Sequence, residues 1–130
     1  MGTLVASTAA MPSRNYTELI AWQKAMVLLE AVYKASAGLP MEERFGLVAQ
    51  IRRAAVSIPA NIAEGEGRRS RAAFLNHLSI AYGSLREVET LIHAAHRLGY
   101  FTQESAQDLL THTAESGRLI NGLSAFLRQQ

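Results

Sequence analysis

Apolar side chains recur at intervals of three and four residues along most of this chain. The longest series of this kind is Phe74, Leu78, Ala81, Leu85, Val88, Ile92 and Ala95. An α-helix has 3.6 residues per turn, so this spacing places the whole series on one face of a helix. A half-buried strand would alternate apolar and polar residues instead, and we predict no strand. The chain must therefore bury helical faces against one another.

The same spacing predicts three further helices. The four predicted helices run from about Thr17 to Ala37, from near Met41–Arg44 to Gly65, from Ser70 to Leu98, and from Thr102 onward. The predicted buried face of the first helix consists of Leu19, Trp22, Met26, Leu29 and Tyr33, backed by Ala25 and Val32. The face of the second consists of Leu47, Ile51, Ala54, Ile58 and Ile62. The face of the fourth is weaker and consists of Leu109, Thr113, Ile120, Ser124 and Leu127.

Capping residues, glycine and proline mark where these helices begin and end. Ser70 and Thr102 are natural N-caps, and Gly99 is a natural C-terminal stop for the third helix. Pro59 lies inside the second helix, where the loss of a backbone hydrogen bond predicts a kink or a split. Connections of only a few residues favour antiparallel neighbours. We therefore predict an all-α, up-down-up-down antiparallel four-helix bundle.

Length and composition limit the chain to one domain. Its 130 residues can bury roughly two-thirds of the unfolded surface, and no run approaches the ~20 apolar residues of a membrane span. We expect residues 1–14 to form a disordered leader and residues 15–130 to form a single bundle domain. The absence of cysteine removes disulfides and thiolate metal sites, and it is compatible with the cytoplasm, where we expect the protein to reside.

Positive charge is concentrated in the middle of the sequence. Between Arg44 and Arg97 there are eight arginines and four glutamates, although the net charge of the whole chain is only +2. Arginine forms bidentate contacts with carboxylates and phosphates and is favoured in partly buried interfaces. This bias fits ion-paired interfaces as well as it fits nucleic-acid binding.

A polar stripe accompanies the apolar face of the predicted second helix. Its members are three or four residues apart: Gln50, Arg53, Ser57, Asn61, Glu64 and Arg68. Such a face requires polar partners, and Glu87 and Glu89 on the third helix could supply them. We predict a network that fixes helix register or a subunit interface. A ligand or nucleic-acid surface and plain solvent exposure are the alternatives.

Basic residues also cluster where the third helix begins. A helix N-terminus surrounded by guanidinium groups is a site for an anion such as phosphate. The candidate nucleic-acid-binding residues are Arg68, Arg69, Arg71, Arg52 and Arg53. The alternative is a solvated turn whose arginines pair with Glu64 and Glu66.

The histidines do not form a recognisable catalytic or metal-binding pattern. They are His77, His93, His96 and His112, and no Glu-x-x-His motif of the kind found in di-iron bundles occurs. No nucleophile can be assembled with a base. We predict no enzymatic activity, no cofactor and no metal; a small-ligand or metal-binding bundle, with His93 and His96 near Glu89, is a weaker alternative.

Several runs resemble a known family in register and without gaps. They are Tyr16–Ala25, Glu43–Gly65, Ile80–Thr90 and Leu98–Tyr100. In these residues the chain resembles the bacterial four-helix-bundle proteins, also called 23S rRNA intervening-sequence proteins. It departs from their common pattern at Tyr82, where arginine is frequent.

The resemblance implies a left-handed bundle that assembles into a homopentamer. It also implies possible partners, because the similar accessory protein of diversity-generating retroelements binds nucleic acid and a reverse transcriptase. We therefore expect a homo-oligomeric bundle that binds RNA or DNA around the turn between the second and third helices. The alternative is a structural or protein-interaction scaffold without a nucleic-acid role. No membrane partner is expected.

Overall fold

The structure, a computed structural model, describes residues 15–130. These residues form four α-helices: α1 (Ile20–Ser36), α2 (Leu47–Gly67), α3 (Arg71–Arg97) and α4 (Gln103–Arg128). Two short 3₁₀ turns, Tyr16–Glu18 and Met41–Glu43, precede α1 and α2, and the described residues contain no strand. The leader predicted for residues 1–14 lies outside the described part of the chain.

Each helix packs against the helices before and after it in the chain. Helix α1 packs against α2 and α4, and α3 also packs against α2 and α4. The predicted all-α four-helix bundle is therefore confirmed. The α1–α2 and α3–α4 connections lie at one end of the bundle, which we call the loop end. The α2–α3 connection lies at the other end, which we call the turn end.

The predicted buried faces of α3 and α4 are confirmed, and so is that of α2 except for Leu47, which is half-buried. In α1, Ala25 and Val32 are buried as predicted, but the main stripe of the prediction lies one residue away from the buried one. The residues of α1 that are buried are Ala21, Ala25, Leu28, Val32 and Ser36. Trp22, Met26 and Leu29 are only half-buried, and Tyr33 is exposed. Two alanines on the inner face let neighbouring helices approach closely, and the larger side chains lie at the flanks of α1.

Helix α2 begins later than the sequence predicts. Residues Met41–Glu43 form a 3₁₀ turn, and the helix starts at Leu47 after Gly46. Gly46 has no side chain to cap the helix, and Glu43 Oε1 accepts a hydrogen bond from the Leu47 backbone N–H at 3.2 Å instead. Glu43 thus bonds to the N-terminus of α2 from outside the helix.

Glu43 also joins the two connections at the loop end. The Tyr100 hydroxyl donates a hydrogen bond to Glu43 Oε2 at 3.2 Å. Burial of the phenol and this hydrogen bond to a carboxylate raise the pKa of Tyr100, because both favour its neutral form. The α1–α2 and α3–α4 connections are therefore held together by a single carboxylate.

The remaining helix boundaries largely follow the local signals. Ser70 Oγ accepts a hydrogen bond from the Ala73 N–H, and Thr102 Oγ1 accepts one from the Ser105 N–H, so both predicted N-caps are confirmed. Gly99 has a φ of 84° and follows the end of α3. Helix α2 continues through the buried Pro59 as one element, so of the two predicted alternatives, a kink or a split, the split does not occur. Packing against α1 and α3 stabilises the helix despite the missing backbone donor.

Substituting Gly65 tests how closely α2 and α3 approach. A Cβ atom there would lie 2.7 Å from His77 Cβ and 3.0 Å from Phe74 Cδ1, so the two helices would have to separate. We expect Gly65→Ala to lower the free energy of unfolding by about 1–3 kcal/mol in urea denaturation.

Gly67→Ala is the matched control. Nothing lies within 4 Å of a Cβ at this position on the last turn of the same helix. Because alanine has the higher helix propensity, Gly67→Ala should leave stability unchanged or raise it by about 0.5–1 kcal/mol. Equal effects of the two substitutions would contradict the close approach at Gly65.

Candidate nucleic-acid interface

The chain reverses direction between α2 and α3 within three residues. Helix α2 ends at Gly67, and Arg68, Arg69 and Ser70 lead directly into α3. Arg69 has a φ of 61°, and it is the sole non-glycine residue with a positive φ in the described chain. Arg68, Arg69, Ser70 and Arg71 are all exposed at the turn end. We call these four residues the arginine turn.

One of the three arginine side chains is paired within the chain. Arg68 Nη2 lies 2.9 Å from Glu64 Oε2, in the preceding turn of α2. The hydrogen bond from Arg68, followed by the charge of His77, lowers the pKa of the Glu64 carboxyl group. Arg69 and Arg71 make no ion pair with any residue between 15 and 130, and neither does Glu66. Two guanidinium groups are therefore available beside the N-terminus of α3.

Arg52 occupies a different part of the molecule. Its Nε donates to Ser36 Oγ at 2.8 Å, and its Nη2 donates to the Tyr33 carbonyl oxygen at 3.1 Å. The guanidinium also stacks over the Tyr33 ring at 4.4 Å. Arg52 thus caps the C-terminus of α1 through one backbone carbonyl group, that of Tyr33, and the Ser36 hydroxyl. It lies 16 residues before Arg68 on α2, which corresponds to about 24 Å along the helix axis.

Arg53 is also distant from the arginine turn. Its side chain is exposed, and it makes no ion pair within the described residues. Fifteen residues of helix separate it from Arg68, or about 22 Å. Of the five predicted nucleic-acid-binding residues, the structure brings Arg68, Arg69 and Arg71 together and places Arg52 and Arg53 elsewhere.

The middle of the predicted polar stripe faces α3. Ser57 Oγ and Ser84 Oγ lie 2.8 Å apart, and Asn61 Oδ1 lies 3.0 Å from His77 Nδ1. The Asn61 amide nitrogen also donates to the Ser57 carbonyl oxygen and hydroxyl. We call Ser57, Asn61, His77 and Ser84 the polar seam. It is half-buried and connects α2 to α3 at two levels.

The predicted glutamate partners of the stripe lie elsewhere. Glu89 is bonded to Arg86 of its own helix at 2.7 Å, and Arg86 also donates to the Tyr82 hydroxyl. Arg86 and Glu89 line a groove of about 280 Å³ between α3 and α4. Glu87 is exposed and makes no ion pair in the described chain, and Gln50 is likewise exposed.

Sequence reasoning did not identify His77 as a member of this network. His77 and Ser84 are seven residues apart, so they lie on the same side of α3. The seven-residue spacing can be read from the sequence. The level at which α3 packs along α2 cannot be read from it. The partners of the stripe could be assigned only once that level was known.

The described residues contain neither a metal-binding cluster nor a membrane span. No three histidine, aspartate or glutamate side chains of residues 15–130 lie together in a way that could hold a metal ion. None of the helices described is sufficiently long and apolar to cross a membrane.

The fold and its polar contacts define the class of this protein. It is an antiparallel bundle of four helices with a polar seam between α2 and α3 and an arginine turn at one end. The family model of the 23S rRNA-intervening sequence protein matches residues 17–122. Because this match covers most of the chain, the protein belongs to that family.

A solved structure is similar to the chain over most of its length. It is a protein of unknown function from the S23 ribosomal protein family of Bacteroides thetaiotaomicron, with 28% sequence identity and a TM-score of 0.75. The similarity covers 81% of this chain and 98% of that chain. No curated protein matches the sequence.

Asn61 provides a test of the polar seam. Asn61→Ala removes the partners of both His77 and Ser57 in a half-buried position, so we expect the free energy of unfolding to fall by about 1–2 kcal/mol. Gln50→Ala is the control, because Gln50 belongs to the same stripe but is exposed; it should change stability by less than about 0.5 kcal/mol. Urea denaturation of both variants measures the difference, and equal losses would show that the seam contributes nothing specific.

Proposed function

We propose that this protein is a non-enzymatic, homo-oligomeric bundle that binds RNA or DNA through the arginine turn. The observation that supports this function is the pair of exposed guanidinium groups, Arg69 and Arg71, which lack carboxylate partners within residues 15–130. They flank the N-terminus of a 27-residue helix, where backbone N–H groups and the helix dipole favour an anion. A phosphate group has the matching charge and geometry.

Self-association would increase the positive charge available to nucleic acid. The arginine turn of one copy has two arginines without an ion pair, and its third arginine is paired with Glu64. Three arginines are too few for tight phosphate-dependent binding. A ring of copies would present this set several times on one assembly. The affinity for a long polyanion would then rise by effective concentration, with the same interactions in every copy.

The outer surface of α2 and α3 supports such association. Val56 and Ala60 on α2 and Ile80 and Gly83 on α3 are all exposed or half-exposed, and we call these four residues the hairpin patch. A Cβ atom at Gly83 would meet nothing within 4 Å, so another helix could approach closely there. Ser57 and Ser84, which adjoin Val56 and Gly83 in the sequence, are in contact, so the four residues lie on neighbouring turns of α2 and α3. Neighbouring exposed apolar residues favour a protein interface.

The hairpin patch and the arginine turn belong to the same pair of helices. Ile80 lies nine residues after Arg71 on α3, which corresponds to about 14 Å along the axis. A subunit interface at the patch would therefore bring the arginine turns of neighbouring copies near one another. Assembly and anion binding would then depend on the same hairpin.

The hairpin patch also favours a second function. A protein that associates through this patch and lacks affinity for nucleic acid would be a structural or protein-interaction scaffold. The two functions differ in the role of the arginine turn, which is essential for the first and dispensable for the second.

The arginine turn can be tested by removing its three guanidinium groups. We expect the combined substitutions Arg68→Ala, Arg69→Gly and Arg71→Ala to weaken binding of labelled RNA and duplex DNA in fluorescence anisotropy. Glycine is chosen at position 69 because the backbone there has a positive φ. Each phosphate that is no longer neutralised should reduce the log-log salt slope on duplex DNA by about 0.9. Arg52 is left in place because it caps α1.

A control variant with the same change in net charge distinguishes the effect of the arginine turn from the effect of net charge. Lys34→Ala, Arg97→Ala and Arg118→Ala together remove three cations outside the turn. This variant should keep most of the affinity and of the salt slope. Equal binding by the turn variant and the unsubstituted protein, or no binding by the unsubstituted protein at low salt, would leave the scaffold function.

The hairpin patch can be tested by placing a charge in it. We expect Ile80→Asp to reduce the mass in sedimentation equilibrium to that of a monomer, because a carboxylate would be desolvated in the interface. Ile20→Asp places the same charge on an exposed isoleucine of α1 and should leave the assembly intact. Far-UV circular dichroism, which measures helix content, checks that both variants fold. An unchanged mass for Ile80→Asp would exclude the patch as the subunit interface.

A further inference from the structure

The most exposed large apolar side chains of the described residues lie at the loop end. Phe45 is 83% exposed, Met41 is 70% exposed and Leu98 is 61% exposed. They belong to the two connections that Tyr100 and Glu43 hold together. Single exposed apolar residues are ordinary, but three at one end of a small bundle indicate an interaction surface.

A pocket of about 230 Å³ opens beside Met41. It lies in the corner between the C-terminus of α1 and the first turn of α2. Its apolar lining consists of Ala37, Leu39, Pro40, Met41 and Val48, and Ser36 also lines it. Arg44 and Arg52 complete the wall, and no carboxylate of residues 15–130 lines the pocket.

The positive charge of this pocket is not neutralised by the residues around it. Arg44 stacks over the Phe45 ring at 4.7 Å and makes no ion pair with residues 15–130. Arg52 is held in place by neutral oxygen atoms, those of Ser36 and of the Tyr33 backbone. The nearby carboxylate of Glu43 is bonded to the Leu47 N–H and to Tyr100 instead. An anionic group from outside the chain would therefore be attracted here.

We propose that this pocket binds the C-terminal residue of a partner polypeptide, with the terminal carboxylate at Arg44 and Arg52 and an apolar side chain between Leu39 and Val48. Capture of a terminal carboxylate is a recurrent mode of peptide recognition, and guanidinium groups bind carboxylates in bidentate geometry. The exposed Phe45 and Leu98 would cover the residues that precede the terminus.

The size of the pocket selects a peptide terminus over a cofactor. Sites for small molecules usually measure about 300–1,000 Å³, and this pocket is smaller. A pocket below this range suits one terminal residue better than a whole cofactor. The pocket lies at the opposite end of the bundle from the arginine turn, so this inference does not rest on nucleic-acid binding.

Nuclear magnetic resonance of the full-length, ¹⁵N-labelled protein tests the proposal. The probes are the peptide acetyl-GSGAL with a free C-terminal carboxylate and the same peptide with an amidated C-terminus. The free acid should shift the amide resonances of Met41 and Val48, and the amidated peptide should bind about tenfold more weakly. Arg44→Ala should weaken binding of the free acid about tenfold, because Arg44 has no structural ion pair. Arg118→Ala, which removes an arginine of α4, is the control and should bind normally.

Four results would overturn the proposal. The first is equal affinity for the acid and the amide, and the second is a set of shifted resonances that lies away from the pocket. The third is binding of caproate as tight as that of the peptide, which would assign the pocket to free aliphatic acids. The fourth is a change in the sedimentation mass of Arg44→Ala, which would assign it to a second copy of this chain.

Discussion

The close approach of α2 to α3 at Gly65 is the constraint on which the rest of the structure depends. Without a Cβ, the backbone of α2 lies directly against the side chains of His77 and Phe74. This approach sets the level at which Asn61 meets His77 and Ser57 meets Ser84. Apolar packing tolerates small shifts of one helix along another, whereas half-buried polar pairs are satisfied in one register. Gly65 and the polar seam together therefore fix how α2 and α3 face each other, and with them the hairpin patch and the arginine turn.

The two ends of the bundle differ in the side chains that they present. The turn end presents the exposed side chains of Arg68, Arg69 and Arg71, and the loop end combines exposed apolar residues with the arginines that line a pocket. Helix α2 carries arginine near both ends, but the surroundings give these side chains different roles. Arg52 donates to the Tyr33 carbonyl group and the Ser36 hydroxyl at the end of α1, and Arg68 forms an ion pair with Glu64. The properties of each end follow from these partners and not from the number of arginines alone.

Most of the fold could be predicted because its signals are local. The apolar periodicity of α2, α3 and α4 and the caps Ser70 and Thr102 involve residues within a few turns of one another. The face of α1 was mispredicted because two adjacent stripes of that helix are both apolar, and periodicity alone does not say which one is inside. The arginine turn was predictable since its members are consecutive in sequence. The role of Arg52 was not, because Ser36 and the Tyr33 carbonyl group are 16 and 19 residues away. Glu89 bonds instead to Arg86, three residues away on its own helix, and the groove that both residues line is formed by the packing of α3 against α4.

At Arg69 the backbone conformation favours glycine, whereas the proposed anion binding requires the arginine side chain. The left-handed backbone is the conformation that glycine adopts without strain, and for other residues it costs roughly 1–2 kcal/mol. Glycine would thus relieve the strain at this position, but it would remove one of the two guanidinium groups of the arginine turn that have no carboxylate partner in the described chain. A gain in folding stability at position 69 is therefore coupled to a loss of surface charge. Selection for thermal stability alone would be expected to remove this arginine, and its retention under such selection would indicate that the charge is needed.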